Sequence, residues 1–355
     1  MSHLDIARPN LPKTRGAFPS SVPFMADFLV GALSVLLSTN APLAFSNRVA
    51  HATHALPLPR SGADTSDPRY AELRVVMDDD DAAEQEIGRW LAERDALPAS
   101  DPRRESDVAF RRRVDQRNAR VREAYEALVR KHPAYAPARN AFAAFLGETG
   151  DEPGAILQLE EASRLDPKDP SIWNNLANHY GHIGPVEKAF PAYEKAIELN
   201  PFEPVYRYNL GTVVFLFRKD AMAYYQCDEP AVFRRALDHY KEVRRLRPFN
   251  FRYAFDFAQT YYGVKPGPDA TPEGRKASER SLAESALAAW HDALALADND
   301  EDRDGIFLHL ARWQMRLGQW EAVRTNLALV VHPSHLVVKA RLQRNLDEKA
   351  PAPAR

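Results

Sequence analysis

Apolar and polar positions follow a helical period along most of this 355-residue chain. Between Pro170 and Pro201, apolar residues recur at spacings of three and four, which places them on one stripe of each of two consecutive helices. Bulky and small side chains alternate along both stripes, so two antiparallel helices can approach closely while the large groups fill the space between them. Gly184 and Pro185 interrupt the pattern, and Pro201 ends it. The stretch therefore predicts a helical hairpin.

The same stretch carries an eight-position signature when Pro170 is counted as position 1. Positions 4, 7, 8, 11, 20, 24, 27 and 32 are occupied by Trp173, Leu176, Ala177, Tyr180, Ala189, Tyr193, Ala196 and Pro201. This resembles the tetratricopeptide (TPR) repeat at every one of these positions. The resemblance implies a stack of hairpins, because one hairpin cannot bury its apolar face alone, and it implies a partner-binding groove along the inner surface.

The period extends in both directions to about five units over residues 136–333. In the third unit the second helix is delayed by an insertion at 217–229, which is apolar enough that we expect it to be ordered. In the fourth unit a Gly- and Pro-rich insertion at 263–278 is expected to be a mobile loop. The predicted core of these two units includes Leu210, Gly211, Ala236, Tyr240 and Trp290.

Helical patterns also occupy both flanks of the repeats. Residues 77–135 predict two helices of a degenerate N-terminal repeat, with the acidic run 78–81 at a helix start. Residues 336–349 are amphipathic and predict a C-terminal capping helix. Because no segment shows a convincing strand pattern, the predicted fold class is all-α: an α-solenoid of stacked antiparallel helical hairpins.

The N-terminal part has a different character. Within residues 1–46, the apolar run Phe28–Leu37 is too short to span a bilayer of about 30 Å. Basic residues precede the run and a small-x-small site follows it, an arrangement that resembles a secretory signal peptide cleaved before Asn47. The alternatives are a disordered or weakly helical leader on a cytoplasmic protein, and an uncleaved leader that acts as an anchor, the one case in which we expect contact with a membrane. Residues 47–76, rich in Pro, Ala and Ser, predict a flexible linker in either case. We expect export, to the periplasm or the medium.

Composition narrows the function classes. The chain has 47 Lys and Arg against 49 Asp and Glu, so no global charge drives binding to nucleic acid or to an anionic membrane. The single cysteine, Cys227, forms no internal disulfide. The sequence shows no phosphate-binding glycine loop and no nucleophile elbow. We therefore predict no catalytic residue, no metal, no cofactor and no small-molecule substrate.

Two local features allow a sharper interpretation. The histidine pairs His179 with His182 and His332 with His335 lack a third ligand at metal spacing, which favours ordinary helical histidines. The segment Arg103–Lys131 carries ten Arg and Lys against five Asp and Glu. It could bind phosphate or nucleic acid, but the interleaved acids favour a solvated helix with ion pairs along its surface.

The predicted groove is lined by the first helix of each repeat. Positions 2, 6, 9 and 13 of that helix point away from its apolar stripe, and their polar residues are Asn175, Asn178, His182, Asn209, Thr212, Arg252, Asp256, Gln259, His309, Arg312 and Arg316. Asparagine at position 6 also resembles the repeats of the O-linked N-acetylglucosamine transferase, in which a ladder of asparagines holds peptide backbone. Only Asn175 and Asn209 match, so the implied ladder is short. The alternative is that these positions are merely solvated.

The predicted function is a non-enzymatic scaffold that binds an extended peptide or a partner protein in this groove. An amide both donates and accepts a hydrogen bond, which suits recognition of peptide backbone. Arg312 and Arg316 lie four residues apart, so both can reach one acidic group. The alternative is a repeat-containing subunit or substrate adaptor of a glycosyltransferase or of an assembly complex.

Overall fold

The computed structural model describes residues 64–266 and 271–350, which form helices and no β-strand. In this range fourteen α-helices follow one another with short connections. In chain order they are α1 (Pro68–Asp95), α2 (Asp107–Lys131), α3 (Ala136–Glu148), α4 (Glu152–Leu165), α5 (Pro170–Ile183), α6 (Ala189–Leu199), α7 (Pro204–Leu216), α8 (Arg218–Tyr225), α9 (Glu229–Leu246), α10 (Phe251–Thr260), α11 (Pro272–Leu296), α12 (Asp300–Arg316), α13 (Trp320–Leu329) and α14 (Leu336–Lys349).

Local sequence explains where many of these helices begin and end. The side chains of Asp67, Ser106 and Asp151 accept hydrogen bonds from backbone N–H groups in the first turns of α1, α2 and α4. Gly150 and Gly318 adopt φ angles of 87° and 69° in the turns that separate α3 from α4 and α12 from α13. Residues with a Cβ rarely adopt this conformation, so glycine permits the tight reversal between the two helices.

Consecutive helices pack against each other as hairpins: α1 with α2, α3 with α4, α5 with α6, α7 with α9, α10 with α11, and α12 with α13. The last helix, α14, packs on α12 and α13. The first helices of neighbouring hairpins also touch, since α3 contacts α5 and α5 contacts α7. Each apolar face is thereby covered by the next hairpin, and the predicted all-α solenoid is confirmed.

The apolar interior is distributed along the stack in three clusters. The first extends from α1 to α9, the second from α7 to α12, and the third joins α12, α13 and α14. Most positions of the predicted repeat core are buried: Leu176, Tyr180, Ala189, Tyr193, Ala196, Leu210, Gly211, Ala236, Tyr240 and Trp290.

Two positions of the predicted core differ from the others. Trp173 is only partly buried, and its indole Nε1 donates a hydrogen bond to the carbonyl oxygen of Pro167 at 2.9 Å. Pro201 is exposed, at the turn that follows α6. Both residues lie near the turns that join neighbouring repeats, where less of the next hairpin covers the side chain.

Two predicted boundaries change in the structure. Helix α1 begins at Pro68 instead of near residue 77, so the acidic run 78–81 lies in its middle. Residues 272–278 belong to α11 and not to a loop, because Thr271 caps the helix and Pro272 occupies its first turn. The insertion at 217–229 contains α8 and the start of α9. The predicted leader, residues 1–46, lies outside the described residues.

Every helix in the described part of the chain is too short or too polar to span a lipid bilayer.

Candidate functional site

The first helices of successive repeats touch through a regular pair of positions. Position 5 of one repeat lies against position 6 of the next: Asn140 with Asn175, Asn174 with Asn209, Tyr208 with Asp256, and Phe255 with His309. The contacts are hydrogen bonds in the first three cases and an edge-on ring contact, with centroids 6.1 Å apart, in the fourth. We call the surface formed by α3, α5, α7, α10 and α12 the first-helix face.

Four asparagines join α3, α5 and α7 into one hydrogen-bonded network. Asn175 Nδ2 donates to Asn140 Oδ1 at 2.9 Å, and Asn209 Nδ2 donates to Asn174 Oδ1 at 2.9 Å. Asn174 and Asn175 are linked to each other at 3.3 Å. The exposed fractions of Asn174 and Asn175 are 0% and 2%. Asn175, predicted to face a ligand, instead holds two helices together, because the preceding repeat covers it.

Asn178 and Asn209 form a less enclosed part of this network. Asn209 Nδ2 also donates to Asn178 Oδ1 at 3.2 Å, and the hydroxyl of Tyr193 donates to the same oxygen at 2.6 Å. Their exposed fractions are 8% and 7%. Within residues 64–266 and 271–350, Asn178 Nδ2 and Asn209 Oδ1 have no hydrogen-bond partner. The pair therefore offers one free donor and one free acceptor.

In contrast to these open amides, two predicted groove residues of α10 are enclosed. Asp256 is 2% exposed, and its Oδ2 accepts from Arg252 Nε at 2.7 Å and from the Tyr208 hydroxyl at 2.6 Å. Burial raises the pKa of the Asp256 carboxyl, and Arg252 opposes that rise. Gln259 is 1% exposed, with neither amide atom hydrogen-bonded in the described structure. Asp256 and Gln259 were predicted to lie on the groove surface, whereas the stack encloses them.

The remaining inner position of α5 contacts the preceding hairpin, and that of α7 contacts its own hairpin. His182 and its neighbour His179 place their Nδ1 atoms 2.7 and 2.5 Å from the two carboxylate oxygens of Glu152, which is itself buried. Thr212 Oγ1 lies 2.7 Å from the hydroxyl of Tyr240. The histidine pair is therefore joined by a carboxylate from α4, a contact that spacing along one helix cannot reveal. No group of three His, Cys, Asp or Glu side chains in the described range is arranged to hold a metal ion.

The predicted groove residues of α12 fall into two kinds. His309 is buried and stacks on Trp290, with ring centroids 4.1 Å apart. Arg312 is partly exposed and Arg316 is exposed. The two arginines occupy positions 9 and 13, the positions that Asn178 and His182 occupy in α5.

Several solved structures are similar to this chain. YrrB, described as a TPR protein with an unusual peptide-binding site, is 16% identical, with 63% of this chain and 99% of that chain covered and a TM-score of 0.47. PilF of Pseudomonas aeruginosa is 15% identical, with 75% and 99% covered and a TM-score of 0.45. MamA of Desulfovibrio magneticus RS-1 is 17% identical, with 60% and 97% covered and a TM-score of 0.41. No protein-family model and no curated protein sequence matches this chain.

The helix order, the pairwise packing and the eight-position signature of α5 and α6 agree with one another. The chain folds as a TPR-like solenoid. Its repeats are the hairpins α3–α4, α5–α6, α7–α9, α10–α11 and α12–α13, between an N-terminal hairpin and the capping helix α14.

The basic segment of the TPR-like solenoid lies mostly in α2, and several of its side chains contact α1. Arg117 donates to Asp79 at 2.7 Å and to Glu86 at 3.0 Å. The guanidinium of Arg113 lies 3.8 Å from the ring centroid of Trp90. These contacts join the two N-terminal helices, so the charge of α2 has a structural role.

The inserted helix α8 packs on a second helix, away from the asparagine network. Tyr224 and Tyr225 place their rings 5.1 and 5.7 Å from Phe190 of α6, and both hydroxyls donate to Glu194. The guanidinium of Arg235 covers the other side, 4.0 Å from the ring of Tyr225. Helix α8 thus widens the second-helix side of the stack.

The repeat pattern did not predict a role for the position-5 residues Asn140, Asn174 and Tyr208, although each holds a position-6 residue of the next repeat. One signal was available in principle, because two asparagine pairs each lie 35 residues apart, one more than the repeat period. The helical wheel assigned position 5 to no surface, since it considers one hairpin at a time.

Proposed function

We propose that this TPR-like solenoid is a protein-interaction scaffold, without catalysis of its own, that binds an extended segment of a partner protein on the first-helix face. The observation that supports it is the pair of open amide groups on Asn178 and Asn209. One donor and one acceptor, side by side on neighbouring helices, match the C=O and N–H groups of a peptide backbone.

The network behind this pair strengthens the proposal. Asn178 Oδ1 accepts hydrogen bonds from Tyr193 and Asn209, and Asn209 Nδ2 is held by Asn174 as well. These contacts set the orientation of both amides before a ligand arrives, which lowers the entropy lost on binding. Contacts to backbone alone tolerate many sequences, so selectivity has to come from other positions of the face.

The experiment begins with selection of peptides on the full-length chain from a displayed library of random 12-residue sequences. Affinities of the selected peptides are then measured by fluorescence anisotropy. Asn178→Ala and Asn209→Ala are each expected to weaken binding by about three- to tenfold, the effect of losing one ordinary hydrogen bond.

The matched control is Asn140→Ala, which removes an amide of the same network but one without an open group near the ligand. It should lower thermal stability while changing peptide affinity less than twofold. Equal weakening by Asn140→Ala would show that the network acts only through stability, and a library without any binder would refute the proposed function.

A further inference from the structure

The C-terminal end of the first-helix face carries two arginines without a counter-charge. Neither Arg312 nor Arg316 forms an ion pair or a carboxylate hydrogen bond with any residue that the structure describes. Arg252, Arg303 and Arg324 of the same half differ, because each pairs with an Asp or Glu three or four residues away. The chain as a whole is nearly neutral, so this excess of positive charge is local.

An aromatic ring supports one of the two guanidinium groups, and a tyrosine hydroxyl lies beside the other. The guanidinium of Arg316 lies 4.2 Å from the ring centroid of Trp313 and 6.0 Å from that of Tyr262. Trp313 is 1% exposed and therefore gives a rigid base. Arg312 lies beside the Tyr262 hydroxyl. Burial raises the pKa of that hydroxyl to about 12, although the charge of Arg312 and its hydrogen bond oppose the rise. Stacking limits the rotamers of an arginine, so less entropy is lost when it binds an anion.

His309 serves this arrangement as a neutral positioning residue. Its Nδ1 lies 2.9 Å from the Tyr262 hydroxyl, and its ring stacks on Trp290 with an interplanar angle of 4°. Burial, together with Arg312 beside it, lowers the pKa of His309 well below the ordinary value. It therefore adds no charge to the site but holds Tyr262 between α10 and α12.

We propose that Arg312 and Arg316 bind a carboxylate of the partner segment, either an Asp or Glu side chain or the C-terminal carboxylate. The inference rests on the proposed function, because it adds a selective contact to the backbone contact at Asn178 and Asn209. Two guanidinium groups four residues apart on one helix can hold both oxygens of one carboxylate.

The position of α12 also predicts a spacing within the ligand. Between α7, which carries Asn209, and α12 there are two steps from one first helix to the next, or about 16–20 Å at the usual interaxial distance. An extended chain advances about 3.3 Å per residue. The acidic group is therefore expected about five or six residues from the residue that contacts the amides.

The test uses peptides selected on the full-length protein, each remade with its acidic residue changed to the neutral amide or with its C-terminus amidated. One of these two changes should weaken binding to the wild-type chain by about tenfold at low salt. In the double variant Arg312→Gln with Arg316→Gln, the same modification of the peptide should alter its affinity less than twofold. Arg312→Lys with Arg316→Lys keeps the charge but not the planar fork, so it should bind with intermediate affinity.

The control for charge is Arg111→Gln with Arg112→Gln on α2, which alters the net charge equally at two exposed arginines near the other end of the stack. This control variant should bind the peptides with wild-type affinity and should keep the preference for the acidic form of each peptide. Selected peptides without a preferred acidic group, or a Gln double variant that discriminates as the wild type does, would overturn this inference and leave the backbone contact standing. If no peptide binds, both proposals fail.

Discussion

At the residue scale, the structure distinguishes two tryptophans that the sequence pattern treats alike. Trp290 is fully buried between Phe255 and His309, whereas Trp173 is partly exposed at the edge of its hairpin. A large side chain contributes to stability in proportion to the apolar area that it buries, so the two residues differ in importance although both occupy signature positions.

We expect Trp290→Ala to lower the free energy of unfolding by about 3–5 kcal/mol, the range for buried large aromatics. Trp173→Ala should cost less, about 1–2 kcal/mol, from partial burial and one hydrogen bond. Urea denaturation followed by circular dichroism measures both. An equal loss in the two variants would show that Trp173 is covered as completely as Trp290.

His239 on α9 provides a prediction about pH. Burial, assisted by the charges of Arg207 and Arg235 and opposed by that of Asp238, lowers the pKa of its imidazole from 6.5 to about 4. The unfolded chain binds a proton at this histidine below pH 6.5, whereas the native chain does so only near pH 4. Stability should therefore fall as the pH is lowered from 6.5 towards 4.

The measurement compares thermal unfolding of the wild type and His239→Gln between pH 7 and pH 5.5. The variant should show a smaller loss of stability over that interval. The pKa of His309 is also lowered, so His309 accounts for any pH dependence of stability that remains in His239→Gln. If stability falls with pH as steeply in His239→Gln as in the wild type, His239 is not the source of the pH dependence.

At the element scale, α11 consists of two parts with different environments. Its buried residues begin at Ala283, and none of residues 272–282 is buried. A helix segment with so little buried surface depends mainly on its own hydrogen bonds and on the cap at Thr271, which give little stability in water.

Hydrogen exchange should therefore be fast in residues 272–282 and slow in residues 283–296 of the same helix. Mass spectrometry of peptic fragments can separate the two parts. Equal protection along the whole helix would show that the first turns are covered by another part of the protein.

At the scale of the whole molecule, each hairpin is stabilised mainly by its neighbours. The third apolar cluster illustrates this, because Leu342 and Leu346 of α14 cover Leu308, Val323 and Leu327 of the last hairpin. Removing the cap would expose that surface to water without changing the first repeats.

A chain that ends at His335 should consequently lose exchange protection in α12 and α13, while α3 and α4 keep theirs. The comparison is internal, since both regions are measured in the same sample. A uniform loss of protection along the stack would mean that the solenoid unfolds as one cooperative unit.

The sequence by itself determined the helical hairpins and their order. Apolar residues at spacings of three and four define one buried stripe per helix, and glycine or proline at the turns separates the helices. The boundaries of α1 and α11 were misjudged because their exposed turns lack an apolar period. The capping residues Asp67 and Thr271, each followed by proline, were the available local signals.

The tertiary structure alone decided which polar residues of the first helices remain open to a partner. A helical wheel shows that Asn175, Asp256 and Asn178 point away from the core of their own hairpin, but it contains no information about the adjacent hairpin. In the stack, Asn140 and Tyr208, position-5 residues of the preceding repeats, enclose Asn175 and Asp256. The side-chain nitrogen of Asn178 remains open. Burial depends on contacts between residues about 35 to 48 positions apart in the chain, and such contacts exist only once the hairpins have packed.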